Sequence, residues 1–216
     1  MALSDQLRRL AARTKELEDR AAAAKAKAKT DLEHQGLTAF APTPFADANA
    51  VGTLTTTAKK LGLVNVSDLQ GKSQNLVLDG SPECRQRIDC LVGLEKVYNL
   101  QFKKFNPVDI ALRYQVLDNH NADLSILFTS DAQLANSNKY TILNDDKGIF
   151  AAGNVIFITD QKTVQAAGPD FQKTIEEVQG QLSLKVMQEL NARVDIDKQT
   201  PKAVAHEYLK SAGYVQ

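Results

Sequence analysis

Between residues 76 and 160, short apolar runs alternate with stretches of helical pattern. No other feature narrows the choice of fold as much. The runs are LVLDG (76–80), QFKKFN (101–106), DLSILFT (123–129), YTILNDDKG (140–148) and NVIFITD (154–160). Between them, CLVGLEKVYNL sets Leu91, Leu94, Val97 and Tyr98 along one side of a helix, and PVDIALRYQVLDNH opens with Pro107 at a first helical position. Strands that alternate with helices of this length predict an α/β sheet built from crossover units.

The flanks differ from this middle. Residues 3–35 are rich in Ala, Lys, Arg, Glu and Leu. Leu3, Leu7, Leu10 and Leu17 share one helical face, and Ser4 stands where a cap would. The following AAAAKAKAK has strong helix propensity and little apolar face, so it reads as a solvated helix. GLTAF (36–40) starts with a helix-stop glycine and reads as a short strand, and the two prolines of APTPF hold the next residues extended. The last third is helical. PDFQKTIEEVQGQL, SLKVMQELNARVDI and TPKAVAHEYLKSAG each begin near Pro or Ser and carry a leucine or valine stripe. The expected architecture is a two-lobed α/β body with helices at the C-terminal end.

Charge and motifs exclude several classes. Lys plus Arg equals Asp plus Glu at 26 each, so no net field draws nucleic acid or acidic lipid. No apolar run approaches the ~20 residues of a membrane span. The charged N-terminus carries no apolar signal region, which leaves a cytosolic chain or a secreted one without its leader. The three histidines, His34, His120 and His206, stand far apart. The only cysteines, Cys84 and Cys90, are spaced C-x5-C around Arg87 in DGSPECRQRIDC. That spacing, without a nearby histidine, fits neither zinc binding nor C-x-x-C redox chemistry. Two readings remain open: a disulfide worth about 2 kcal/mol, or two buried reduced thiols.

Six pieces of the chain, in order, resemble the substrate-binding proteins of osmoprotectant ABC importers, the glycine betaine, choline and carnitine type. They are GLTAFAPTPFADANAV, KKLGLVNVSDLQGK, CLVGLEKVYNLQFKKF, ADLSILFTSDAQLA, LNDDKGIFAAGNVIFI and MQELNARVDIDKQTPKAVAHEYLKSAG. The resemblance covers about residues 36–216. It implies a type II periplasmic-binding-protein fold, two α/β lobes that close around a ligand by hinge motion. On it, residues 1–35 form an N-terminal helix, 36–52 and 151–216 form a partial lobe one with hinge strands, and 53–150 form lobe two. The first strands and helices of lobe one would be missing.

The resemblance also implies a site. Family members hold quaternary amines in a cage of tyrosines, whose faces attract the cation. Those cage positions fall here on Asn49, Phe128 and Gly153, and only Phe128 keeps an aromatic face. Arg87 falls on the family's anion-pairing arginine, whose planar fork suits a carboxylate. Thr129 and Asn154 adjoin the cage positions and complete the implied ligand set. Asp131 reads as a turn former. An altered cage, with room at Gly153, implies a small organic solute other than betaine: another quaternary amine, or a different polar solute. The extracytoplasmic location of the family permits a Cys84–Cys90 disulfide, which would restrain Arg87 in a tight non-helical loop from Ser81 to Asp89.

No metal or cofactor is expected, and no enzyme: neither G-x-S-x-G nor H-E-x-x-H occurs. No G-x-x-x-x-G-K-[ST] loop occurs either, in keeping with ATP hydrolysis on a separate subunit. The resemblance implies an ABC permease as partner, without nucleic acid or a membrane span. The alternative is a non-transporting sensor or assembly module of the same fold, suggested by the N-terminal helix.

Overall fold

A computed structural model describes residues 3–135, 138–150 and 153–216. The chain divides into two compact units. One comprises Met1–Pro42 and Ile156–Gln181, the other Thr43–Val155 and Leu182–Gln216.

The larger unit is built on a five-stranded mixed sheet. Its strands are β2 (Asn49–Leu54), β3 (Val77–Gly80), β4 (Lys104–Pro107), β5 (Leu124–Phe128) and β6 (Tyr140–Ile142), in the order β4-β3-β5-β2-β6. The first three in that order run parallel, Val77 opposite Lys104 and Leu78 opposite Leu124. β2 runs antiparallel to β5, with Asn49 opposite Phe128, and antiparallel to β6. Parallel neighbours need a crossover between them. The first carries α3 (Leu91–Lys96) and the second the short α4 (Gln115–Asp118), so the alternating pattern does produce an α/β sheet.

One face of this sheet carries the main core. Val51, Leu78, Leu124 and Ile126 pack with Val66 and Leu69, with Leu91 and Leu94 of α3, and with Tyr98 and Leu100. Tyr98 is fully buried and still satisfied: its hydroxyl donates to Asp145 Oδ1 at 2.5 Å and accepts from the Lys147 N–H at 2.7 Å. The helix α2 (Thr55–Leu61) ends on Gly62 at φ 61°, a left-handed position suited to glycine.

Two expectations are revised here. Pro107 closes β4 instead of opening a helix, and the expected helix shrinks to a 3-10 turn at Ile110–Leu112 followed by α4. β2, a central strand, carries no alternating pattern because both of its faces are covered. Residues 182–216 cluster with the five-stranded sheet, not with the hinge strands. The reason lies on α7 (Leu184–Asp195): Gln188 Nε2 donates to Thr129 O at 2.8 Å and Asn191 Nδ2 to Ser130 O at 2.9 Å, satisfying the carbonyls that follow β5. Ser183 caps α7, and Thr200 caps α8 (Pro201–Ser211).

The smaller unit holds α1 (Leu3–His34), β1 (Leu37–Ala39), β7 (Ile158–Asp160), α5 (Gln161–Ala167) and α6 (Pro169–Gly180). β1 and β7 form a two-stranded antiparallel sheet, Thr38 opposite Thr159. Its buried centre is Phe40, edge-on to Phe157 at 5.2 Å and to Phe171 at 6.0 Å. The backbone of α1 is helical as expected. The side chains of its leucine stripe, Leu3, Leu7, Leu10 and Leu17, and the Ser4 cap lie outside the described residues.

Candidate functional site

The carboxyl ends of parallel strands are where open α/β sheets place their ligands. Here those ends, with the start of the antiparallel β2, enclose a small cleft within the larger unit. β3 delivers Gly80 and Ser81, and the segment after β4 delivers Val108, Asp109 and Ile110. β5 delivers Ile126 and Phe128, β2 delivers Asn49, and Arg113 completes the lining.

Arg113 is held firmly. Its Nε donates to Asp131 Oδ2 at 2.9 Å, its Nη2 to Asp131 Oδ1, and its Nη1 to Ile110 O at 2.6 Å. Asp131 is buried and also accepts from the Tyr114 hydroxyl at 2.8 Å and from the Phe128 N–H at 2.9 Å. The turn role expected of Asp131 is therefore one part of a larger task. The Arg113 guanidinium lies 5.1 Å from the centre of the Phe128 ring and 5.5 Å from that of Tyr114. Burial alone would lower the Arg113 pKa, but its hydrogen bonds to Asp131 and that residue's charge hold it above the ordinary value. Burial, with Asp131 alongside, drives the Tyr114 phenol upward, so it stays a neutral donor.

The disulfide loop borders this region. Cys84 and Cys90 are bonded, with Cα atoms 5.2 Å apart, and both are buried in the main core. The loop contains a 3-10 turn at Pro82–Gln86, tighter and more regular than the non-helical loop expected. It then turns extended at Arg87.

The sequence-derived site residues separate into two groups. Asn49 and Phe128 both line the cleft. Asn49 Nδ2 donates to Asp89 O at 3.0 Å, tying the start of β2 to the disulfide loop. Arg87 is not among the lining residues. Its half-exposed side chain forks onto Asp89, with Nε to Oδ1 at 2.9 Å and Nη2 to Oδ2 at 2.5 Å. This hydrogen bonding holds the Asp89 carboxyl below its usual value.

The remaining three residues stitch backbone together. Thr129 Oγ1 donates to Ala46 O at 2.7 Å and accepts from the Ala48 N–H at 3.1 Å. Gly153 leaves no room for a larger ligand, because a Cβ there would come within 2.3 Å of Asp47 O. Asn154 Nδ2 donates to Thr43 O at 2.9 Å and Phe45 O at 3.0 Å. Arg113 and Ser81 were not singled out from the sequence. Arg113 reads there as one more helical arginine, and only the path through β5 brings position 131 back to it.

Among the described residues no group of three or more His, Cys, Asp or Glu is placed to hold a metal ion. Nor is any described helix long and apolar enough to cross a membrane.

The mixed α/β sheet, with an arginine-bearing cleft at its strand ends, has the architecture of the type II periplasmic-binding-protein class. The chain belongs to the family of substrate-binding domains of ABC-type glycine betaine transport systems, which it matches over residues 17–211. It is 32% identical to a glycine-betaine-binding protein of Pseudomonas aeruginosa over 203 residues, covering 88% of this chain and 64% of the relative. It is 33% identical over 159 residues to the ergothioneine transport permease/ergothioneine binding protein EgtU of Helicobacter pylori, covering 72% of this chain and 28% of that one. A solved glycine betaine/carnitine/choline ABC transporter structure superposes with a TM-score of 0.72 at 29% identity, over 83% of this chain and 65% of the other. The chain thus spans less than two thirds of the length of these proteins.

Proposed function

We propose that this chain is part of the extracytoplasmic solute-binding component of an ABC importer, which takes up a small organic solute and hands it to a membrane permease. Family membership supports the class. The observation that carries the ligand-binding reading is the strand-end cleft, where Arg113, Asn49 and Ser81 bring polar groups beside Phe128. In this reading the unit of the five-stranded sheet is one lobe, and the unit of β1 and β7 belongs to the other.

The ligand differs from simple betaine. Two of the three cage positions carry no aromatic ring, and Arg113 lies over the ring that remains. Carnitine and ergothioneine, named for relatives, are larger zwitterions that share the carboxylate of glycine betaine and place it differently relative to the ammonium. Calorimetric titration with glycine betaine, choline, carnitine and ergothioneine tests the reading. Saturable binding of one of the larger solutes, and weak binding of glycine betaine, is expected. Tight glycine betaine binding contradicts the altered specificity.

A sensor or assembly role is the second reading. Ile156, Phe157 and Ile158 of the smaller unit are each more than 40% exposed, an apolar run suited to contact. Light scattering after size exclusion separates the two: a dimer dispersed by Phe157→Ser favours assembly, whereas a monomer that binds solute favours transport.

A further inference from the structure

The strand-end cleft carries both signs of charge, and this sorts its ligand in a way the cage positions do not show. Arg113 supplies the positive side. A guanidinium has five N–H hydrogens. In Arg113 three are spent, two on Asp131 and one on Ile110 O, which leaves one on each terminal nitrogen for another acceptor. The Ser81 hydroxyl stands in the same lining. Asp109 supplies the negative side. Its Oδ1 accepts from the Ala111 N–H at 2.8 Å, capping the 3-10 turn, and its other oxygen has no hydrogen-bond partner among the described residues.

Phe128 lines the same cleft. An aromatic face attracts a cation, and a site built for a quaternary ammonium keeps that face free for it. Here a protein cation lies over the ring, 5.1 Å from its centre, fixed by the fork to Asp131. A ligand ammonium brought to that face would meet a like charge. A ligand carboxylate approaching the same wall would meet two unused N–H donors.

We infer that Arg113 and Asp109 together determine specificity, Arg113 pairing the carboxylate of a zwitterionic solute and Asp109 its ammonium, in place of an aromatic cage. The inference rests on the solute-binding reading above and assigns the residues that carry it out. Carboxylate recognition moves from Arg87, which is committed to Asp89, to Arg113. Cation recognition moves from aromatic faces to a carboxylate.

The test compares each of two zwitterions, L-carnitine and ergothioneine, with its methyl ester, which keeps the ammonium and loses the carboxylate. The full chain is titrated by calorimetry as wild type and as two variants. Asp109→Asn keeps an oxygen for the Ala111 N–H, so the turn survives. Arg113→Met with Asp131→Asn removes both members of the ion pair, leaving no buried carboxylate unpaired and keeping an acceptor for Tyr114 and Phe128. Circular dichroism melts establish that both variants are folded.

In the wild type, at least one acid binds about tenfold more tightly than its ester, the effect of one charged bidentate contact. In the double variant that ratio falls to about one. In Asp109→Asn both acid and ester weaken about three- to tenfold and their ratio is kept. A wild-type ratio near one, or an unchanged ratio in the folded double variant, overturns the role of Arg113. Ester affinity unchanged in Asp109→Asn overturns the role of Asp109. In each of those cases binding itself persists, so the solute-binding reading stands. If neither acid nor ester binds the wild type, that reading falls and this inference with it.

Discussion

The two compact units bury apolar surface very differently. In the larger one, Val51, Leu78 and Leu124 of three adjacent strands are fully enclosed, and a disulfide lies within the same cluster. In the smaller one, Phe40 is buried against Phe157 and Phe171, while Ile156, Phe157 and Ile158 stay more than 40% exposed. A sheet of three or more strands with a covered face can stand by itself, whereas a two-stranded one is marginal. The candidate site lies wholly in the better-packed unit, on strand ends that the core fixes in place. Binding groups held this way lose little freedom when a ligand arrives.

This contrast can be broken by mutation. The largest effect is expected for Leu124→Ala, which removes a fully buried side chain and costs about 3 kcal/mol in urea unfolding. Phe157→Ala in the smaller unit costs less than about 1 kcal/mol, since much of that ring already meets solvent. Equal costs would refute the contrast. Arg113→Met alone comes next. It strands the buried Asp131 carboxylate, and breaking such a pair from one side costs about 3 kcal/mol or somewhat less, given that Arg113 is partly exposed. Adding Asp131→Asn restores part of the loss. A double variant no more stable than the single one would show that the pair is not coupled.

Reduction of the disulfide is expected to cost about 2 kcal/mol, read as a shift in the urea midpoint with and without reductant. A larger loss would mean that the buried sulfurs also organise the core around them. The smallest effect concerns Asp79, which is 1% exposed and accepts from Asn106 Nδ2 at 3.0 Å. Burial raises its pKa above the ordinary 3.8, so the folded chain holds this proton more tightly than the unfolded chain does. The stability this contributes is complete below the ordinary value and is lost as pH rises through the raised one. Asp79→Asn therefore gains on the wild type as pH rises above the ordinary value, with a higher Tm at neutral pH and no gain at about pH 3. A gain independent of pH would rule out proton linkage as the cause.

Much of the fold was legible in the sequence where one rule governed a stretch. β5 and β3 read as strands because DLSILFT and LVLDG are short apolar runs, and α6 to α8 read as helices from their stripes and capping residues. Pro107 misled, because proline opens a helix and closes an edge strand equally well. β4 is such an edge. β2 was hidden because Ala50, Val51 and Gly52 are buried without alternation. Gly52 is small because Leu127 packs onto it: a Cβ there would come within 2.2 Å of that side chain.

The site was less legible for the same kind of reason. Asn49 and Phe128 were found because the family resemblance marks their positions, and register sets them opposite each other. Arg113 and Asp131 meet only through tertiary folding, and no local spacing relates them. Arg87 drew attention through its place in the cysteine loop, yet its fork is spent on Asp89, two residues away. Gly153 looked like open space in sequence and is a close backbone contact in the fold.

The central claim is that a small organic solute binds at the strand-end cleft of the larger unit. Backbone amide NMR of the full chain, titrated with carnitine and ergothioneine, addresses it most directly. The account predicts saturable shifts clustered at Asn49, Ser81, Ile110, Arg113 and Phe128. Saturable shifts confined to other residues, or none with either solute, would contradict it.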